Sequence, residues 1–374
     1  MTSDLAVTAS LAQLHVLIAR GVSAMDVGDL GTAEEALLAA LIGGSKLSYG
    51  PGLTPELRTQ VEKARHDNRH LLGAIEGQIG SLMRTRRQPL KAVKFALRAA
   101  KRHRLNGEFE RRALLFENAA NAYMDMQRPD RAGPLYADCL ETLEGLGRAD
   151  KVREVRFMVQ QIRDTPPLVR MTALRQAQAA SCVAVELLLQ EGKGRQALSE
   201  SERILSRWPD CGGGWDMRGQ CLASLGQNED ALACHRKSVE YDPTDPVAFR
   251  NFAFQLDAMG RYSEAYEQQC HACDLAPEDG QILSGLSLYM LKCCEARTMD
   301  DATRTLVHHA LLFLDEAIEF SPDWSRAYLF KANALLALGL LDAADAVLLE
   351  GLSHGADAHQ VDVLAQAISR ERRH

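Results

Sequence analysis

Pro209, Pro243 and Pro277 stand 34 residues apart, and the chain between them repeats one pattern of large and small residues at matching offsets. One run places Trp215, Gly219, Leu222, Gly226, Ala231, Ser238 and Pro243 in order; the next places Phe249, Ala253, Leu256, Gly260, Ala265, Ala272 and Pro277 at the same spacings. Each run reads as a pair of helices. A pair of this length cannot bury its own apolar face, so each needs the next to complete its core. Small residues are required where the helices touch. Gly219, Ala253 and Ala332 fill that place within a pair, and Ala197, Ala231, Ala265, Ala310 and Ala344 begin each second helix. A larger side chain at Ala231 or Ala265 would overpack the contact, at roughly 1–3 kcal/mol.

These residues resemble the tetratricopeptide repeat, whose pattern runs W-x2-L-G-x2-Y, then A-x3-F, then P. Arg218 departs from the usual Leu, and His235 and Gln269 replace the aromatic of the second helix. The resemblance implies an all-α fold, an α-solenoid of antiparallel helix pairs forming a right-handed superhelix with first helices lining a concave groove. Looser copies extend it. Leu188, Ala197, Ile204 and Pro209 lie upstream; Leu283, Leu286 and Met290 open a copy whose second half, Ala310, Leu314, Ala317 and Pro322, arrives 11 residues late. The extra material lies near Cys293 to Thr303. Tyr328, Ala332, Leu335, Gly339, Ala344, Leu348 and Gly351 form another full copy.

The first half is helical but less regular. Leu17, Gly21, Ala24, Gly28, Ala33, Leu37 and Ala40 fit the template, and the stretch GGSKLSYGPGLTP reads as a loop. Longer pairs follow, one marked by Gly80, Met83, Ala92, Ala96 and Ala99, and another by Phe116, Ala120, Tyr123, Ala132 and Tyr136. The RDTPP stretch at Arg163 to Pro167 is the best internal boundary, because proline disfavours helix in the residue before it. The expected organisation is irregular hairpins over 1–165, a repeat array over 166–357 and a capping helix and tail over 358–374.

No run of about 18 apolar residues exists, which argues against a membrane span. The N-terminal stretch carries an acid and no basic leader, against a secretory signal. Nine cysteines without a compact framework fit a reducing, cytoplasmic setting. The formal net charge of -7 conceals an uneven distribution: residues 1–178 hold 26 Lys+Arg against 20 Asp+Glu, whereas residues 179–374 hold 17 against 30. Arg84 to Arg104 contains nine basic residues and no acid. Lys91, Lys94, Arg98 and Lys101 would share one face of a helix. Such a face is ordinarily solvated; it could otherwise hold an acidic partner, or nucleic acid, which lacks support from any recognition motif or aromatic platform.

Cys234, His235, Cys270, His271, Cys273, Cys293, Cys294, His308 and His309 cluster in sequence, but their spacing matches no zinc pattern. The template puts Cys234, Cys270 and Cys273 inside second helices, where small apolar side chains pack. No metal or cofactor is expected. Phosphate-loop, metalloprotease and nucleophile-elbow motifs are absent, so the chain does not read as an enzyme. Gly212 to Gly214 reads as a flexible inter-repeat turn.

By its resemblance the chain holds a protein or peptide in a groove. The template aims Asp216 and Gln220, then Arg250, Asn251 and Phe254, then Leu288 and Leu291, then Arg326, Leu329 and Asn333 at it; Asn118 and Asn121 take comparable places in the first half. Asparagine amides both donate and accept, which suits a peptide backbone; Arg250 and Arg326 could meet carboxylates, and Phe254, Leu288 and Leu329 an apolar anchor. Repeat domains that clamp the acidic tails of heat-shock chaperones need Lys and Asn, then Asn, then Lys and Arg on three first helices. Here Asp216 and Gln220, Asn251, and Gln281 and Gly285 stand there, and only the middle element matches. An adaptor or scaffold is the leading reading, beside a secretion-type chaperone that shields an apolar client segment. Self-association into homo- or hetero-oligomers stays open.

Overall fold

The computed structural model describes the backbone of residues 2–48, 55–294 and 300–373, which form eighteen α-helices and no strand. Contacts divide the chain into two compact units, Met1–Ala177 and Gln178–His374. The division falls within α8 (Pro166–Gln190), beyond the RDTPP stretch. That stretch does interrupt the helices: α7 ends at Asp164, Thr165 takes extended backbone, and Pro166 opens α8.

The first unit contains α1 (Thr2–Asp26), α2 (Leu30–Ser48), α3 (Pro55–Thr85), α4 (Pro89–Leu105), α5 (Phe109–Asp125), α6 (Pro129–Gly145) and α7 (Ala149–Asp164). The loop expected from Gly43 starts later, because α2 continues to Ser48; residues 49–54 lie outside the described residues. From α3 to α7 every connection is one turn, repeated at Arg87, Gly107, Gln127 and Gly147, each with positive φ. The next residue closes the turn by donating its N–H to the carbonyl five positions back: Gln88 to Met83, Glu108 to His103, Arg128 to Tyr123 and Arg148 to Leu143, at 2.8–3.0 Å. This hydrogen bond satisfies an orphan carbonyl at the helix end and favours glycine at the left-handed position. Arg87 and Gln127 adopt it with side chains, at φ 58° and 56°. Replacing either with glycine is expected to stabilise the unit by about 0.5 kcal/mol, the relieved strain outweighing the added freedom of the unfolded chain. A fall in the urea midpoint would contradict this.

One core runs through the first unit from Ala24 to Val155. The second unit is built instead of smaller clusters, each spanning neighbouring pairs. After α8 come α9 (Gly194–Arg207), α10 (Gly212–Ser224), α11 (Asn228–Tyr241), α12 (Pro246–Ala258), α13 (Tyr262–Leu275), α14 (Gly280–Cys294), α15 (Asp301–Phe320), α16 (Ser325–Ala337), α17 (Leu341–Ser353) and α18 (Ala358–Glu371). Ala197, Ala231, Ala265 and Ala344, near the second-helix starts, are fully buried, as is Ala310, which lies midway along the longer α15 instead of at its start. The first helices α10, α12, α14 and α16, with α18, touch one another in succession and so share one side of the stack. Val361 and Ile368 of α18 bury themselves against residues of α16 and α17.

Gly212 to Gly214 is not a flexible turn. It forms the first turn of α10, capped by Cys211 Sγ, which accepts the Gly214 N–H at 3.3 Å. A Cβ on Gly212 would stand 2.8 Å from the Cβ of Asp242, so glycine is needed there for close approach. The late second half after α14 has a partial account. Residues 295–299 lie outside the described residues, but α15 has 20 residues where α11 and α13 have 14, so part of the extra length extends the second helix. Among the described residues, no helix is long and apolar enough to cross a membrane.

Candidate functional site

On the side shared by the first helices, α10 presents Asp216 and Gln220 one turn apart, and α12 presents Arg250, Phe254 and Asp257 along one stripe. Asp216 is buried, which corrects the expectation that it faces a ligand. Its Oδ1 lies 3.0 Å from His235 Nδ1, and its Oδ2 accepts from Gln220 Nε2 and Asn251 Nδ2, each at 2.8 Å. An ionised carboxylate only accepts, so both amides must turn their NH2 groups toward it, leaving their carbonyl oxygens to other donors. Gly219 makes room for this arrangement, since a Cβ there would stand 2.8 Å from the His235 ring. His235 is thus not merely a lost aromatic: with Gly219 it supports the carboxylate that orients Gln220 of α10 and Asn251 of α12.

Arg250 is half-buried beside α14. Its Nη1 donates to Gln281 Oε1 at 3.4 Å and its Nη2 to Asn251 Oδ1 at 3.5 Å, both at the long end of hydrogen bonding, and no carboxylate among the described residues lies within ion-pair distance. Tyr289 of α14 lies in the same neighbourhood. Burial, followed by the Asp257 carboxylate, raises its phenol pKa, which Arg250 opposes. Tyr289 is 4% exposed, and its hydroxyl has no hydrogen-bond partner among the described residues. Asp257 is compensated by Lys292 Nζ at 2.5 Å. Phe254, one turn beyond Arg250, is 65% exposed.

The other expected groove residues separate. Arg326 and Asn333 are exposed on α16. Leu288 is half-buried against the cluster of Phe252, Leu256 and Tyr289. Leu291 and Leu329 are buried in core clusters and offer no apolar anchor. Their helical spacing suited either face; contact with the neighbouring pair decides it. In the first unit Asn118 is half-buried, and Asn121 Oδ1 accepts the Tyr136 hydroxyl at 2.5 Å, which commits that amide to the α5–α6 contact.

The basic stripe of α4 is not uniformly solvated. Lys91 is exposed and Lys94 half-buried, its Nζ 5.9 Å from the Phe95 ring centre. Arg98 Nε reaches Glu76 Oε1 at 3.2 Å, Arg102 Nε reaches Glu76 Oε2 at 2.7 Å, and Lys101 is buried. Glu76 on α3 is fully buried. Burial alone would raise its pKa, but Arg102 and Arg98 outweigh that and hold it below the ordinary carboxylate value. The available signal was a lone acid inside the apolar run LLGAIEGQIG.

Cys234 is buried in α11 and accepts from Arg218 Nη1 at 3.1 Å, whereas Cys270 and Cys273 are half-buried on α13. Among the described residues, no three His, Cys, Asp or Glu side chains are grouped to hold a metal ion.

The sequence profile of the tetratricopeptide repeat matches residues 213–245. The chain is 29% identical over 98 residues to the phagocyte signaling-impaired protein of Drosophila pseudoobscura pseudoobscura, covering 26% of this chain and 10% of that protein. It therefore spans only a tenth of the length of this curated relative. Among solved structures it is similar to MamA, at 18% identity and TM-score 0.38 over 46% of this chain and 93% of that one. It is also similar to pilF of Pseudomonas aeruginosa, at 17% identity and TM-score 0.45 over 53% and 85% of the two chains. YrrB, described as a protein with an unusual peptide-binding site, matches at 13% identity and TM-score 0.38 over 48% and 88%. The repeat profile falls on α10 and α11, so the chain carries a tetratricopeptide repeat there, and the same alanine and glycine positions recur in the pairs that follow.

Proposed function

We propose that this chain is a non-enzymatic cytoplasmic scaffold that binds an extended segment of a partner protein along α10, α12, α14 and α16. The observation that carries the reading is the exposed aromatic ring of Phe254 beside the fixed Asn251 amide. An extended segment presents backbone N–H groups, which the carbonyl oxygens of Gln220 and Asn251 could accept, and apolar side chains, which the Phe254 ring could cover. Catalysis has no part in this reading, because the buried Asp216 and His235 serve to orient amides. The basic α4 helix is less suited to a partner, since Arg98 and Arg102 are engaged with Glu76.

A photo-reactive phenylalanine analogue at position 254 should crosslink a defined protein in cells, and that protein should bind the purified chain. Phe254→Ala with Asn251→Ala should weaken the complex by about 30-fold or more, as expected for a central aromatic contact. Capture only from position 91, on the exposed end of the α4 stripe, would move the function to the first unit.

A further inference from the structure

We infer that the α12–α14 part of this face receives one acidic side chain of an extended peptide, set next to an apolar residue of the same peptide; this rests on the peptide-binding reading above. Arg250 supplies the charge. A half-buried guanidinium is partly withdrawn from water, and its two long hydrogen bonds run to neutral amide oxygens, with no carboxylate compensating it. Its remaining N–H donors are uncommitted, and their fork suits a carboxylate held through two parallel hydrogen bonds.

Tyr289 is the second, independent sign of a ligand. Its side chain is more than nine-tenths buried, yet its hydroxyl has no partner among the described residues, in the neighbourhood of Arg250 and Asp257. The hydroxyl is the part of this otherwise buried side chain that reaches the surface, and a carboxylate at Arg250 would supply it an acceptor. The nearby acids do not compete: Asp257 is paired with Lys292, and Asp216 accepts from Gln220 and Asn251. Phe254, one helical turn along α12, offers a ring to a neighbouring apolar side chain.

Two features restrict the ligand further. Residues 179–374 carry 30 Asp+Glu against 17 Lys+Arg, so a polyacidic segment would be repelled along most of its length. Screening confines the favourable field of Arg250 to about 8 Å at physiological ionic strength, which suits a single carboxylate. Polar groups continue on both sides, with Gln220 on α10 and Arg326 and Asn333 on α16. A chain running past Arg250 meets further contacts, which favours an internal Asp or Glu over a free C-terminus.

The test is selection of a random peptide library displayed on phage against the full chain, followed by affinity measurements with the best synthetic peptide. Enriched peptides should hold one Asp or Glu at a fixed distance from an apolar residue. Arg250→Gln should weaken binding about tenfold or more, and Tyr289→Phe severalfold with an unchanged melting temperature. Changing the peptide's acid to its amide should cost as much against the parent chain, and little more against Arg250→Gln. Arg250→Glu should turn the selection toward Lys or Arg. Peptides that require Phe254 but tolerate Arg250→Gln would overturn the carboxylate inference and leave peptide binding standing; failure to enrich any peptide that depends on Phe254 would overturn both. Enrichment of polyacidic peptides, or of peptides whose acid is their terminal carboxylate, would overturn the single internal carboxylate.

Discussion

Glu76→Gln is expected to lower the melting temperature of the first unit by on the order of 10 °C. The substitution keeps the shape of a fully buried side chain and removes its charge, leaving Arg98 and Arg102 on α4 facing a neutral amide. Breaking a buried ion pair from one side typically costs about 3–5 kcal/mol. The arginine side chains are 36% and 23% exposed, so water recovers part of that and the lower end applies. For a unit of this size each kcal/mol corresponds to about 2–4 °C. The pH dependence supplies a control. Burial alone would raise the folded pKa of Glu76, but Arg102 and Arg98 outweigh it and hold that pKa below the ordinary carboxylate value, so the stabilisation is complete above the ordinary value and disappears as pH falls through the lowered one. Parent and variant should therefore separate at neutral pH and converge in acid. A gap of constant size down to about pH 2 would show that the loss came from packing instead of charge.

Ala265→Leu should have the second-largest effect, a loss of roughly 1–3 kcal/mol. Ala265 is fully buried near the start of α13, in a cluster with Leu232, Phe252, Ala253, Leu256 and Tyr289. These residues come from α11, α12 and α14 as well as α13, so the added carbons would push against both the partner helix and the flanking pairs. Close-packed interiors yield only partly to such crowding. Thermal or urea unfolding of the full chain gives the measurement, and an unchanged transition would mean that Ala265 is not the contact position of its repeat. The same substitution at Ala258, exposed on α12, is the control for helix propensity.

Much of the second unit was legible because its helices obey a strict interval. The prolines fix the ends of pairs, the glycines fix the turns, and alanines mark where helices touch. The first unit was harder to read because its turns do not depend on a single residue type: Arg87 and Gln127 occupy places that Gly107 and Gly147 fill elsewhere. For the candidate site, spacing identified which positions lie on first helices and not how deeply each side chain sits. Asp216, Leu291 and Leu329 matched the template yet are buried, because adjacent pairs close over them. Tyr289 escaped notice because its place in an apolar run, SLYML, reads as core. What distinguishes it is a hydroxyl without a partner, a property of the packed neighbourhood that no linear pattern records.

The contacts between helices join those one or two places apart in sequence. Such a chain can assemble without closing a long loop, so each pair can settle while the following one is still leaving the ribosome. Its resistance to unfolding is correspondingly local. Tension on the ends should peel pairs away successively, and a lesion in one pair would weaken its neighbours first.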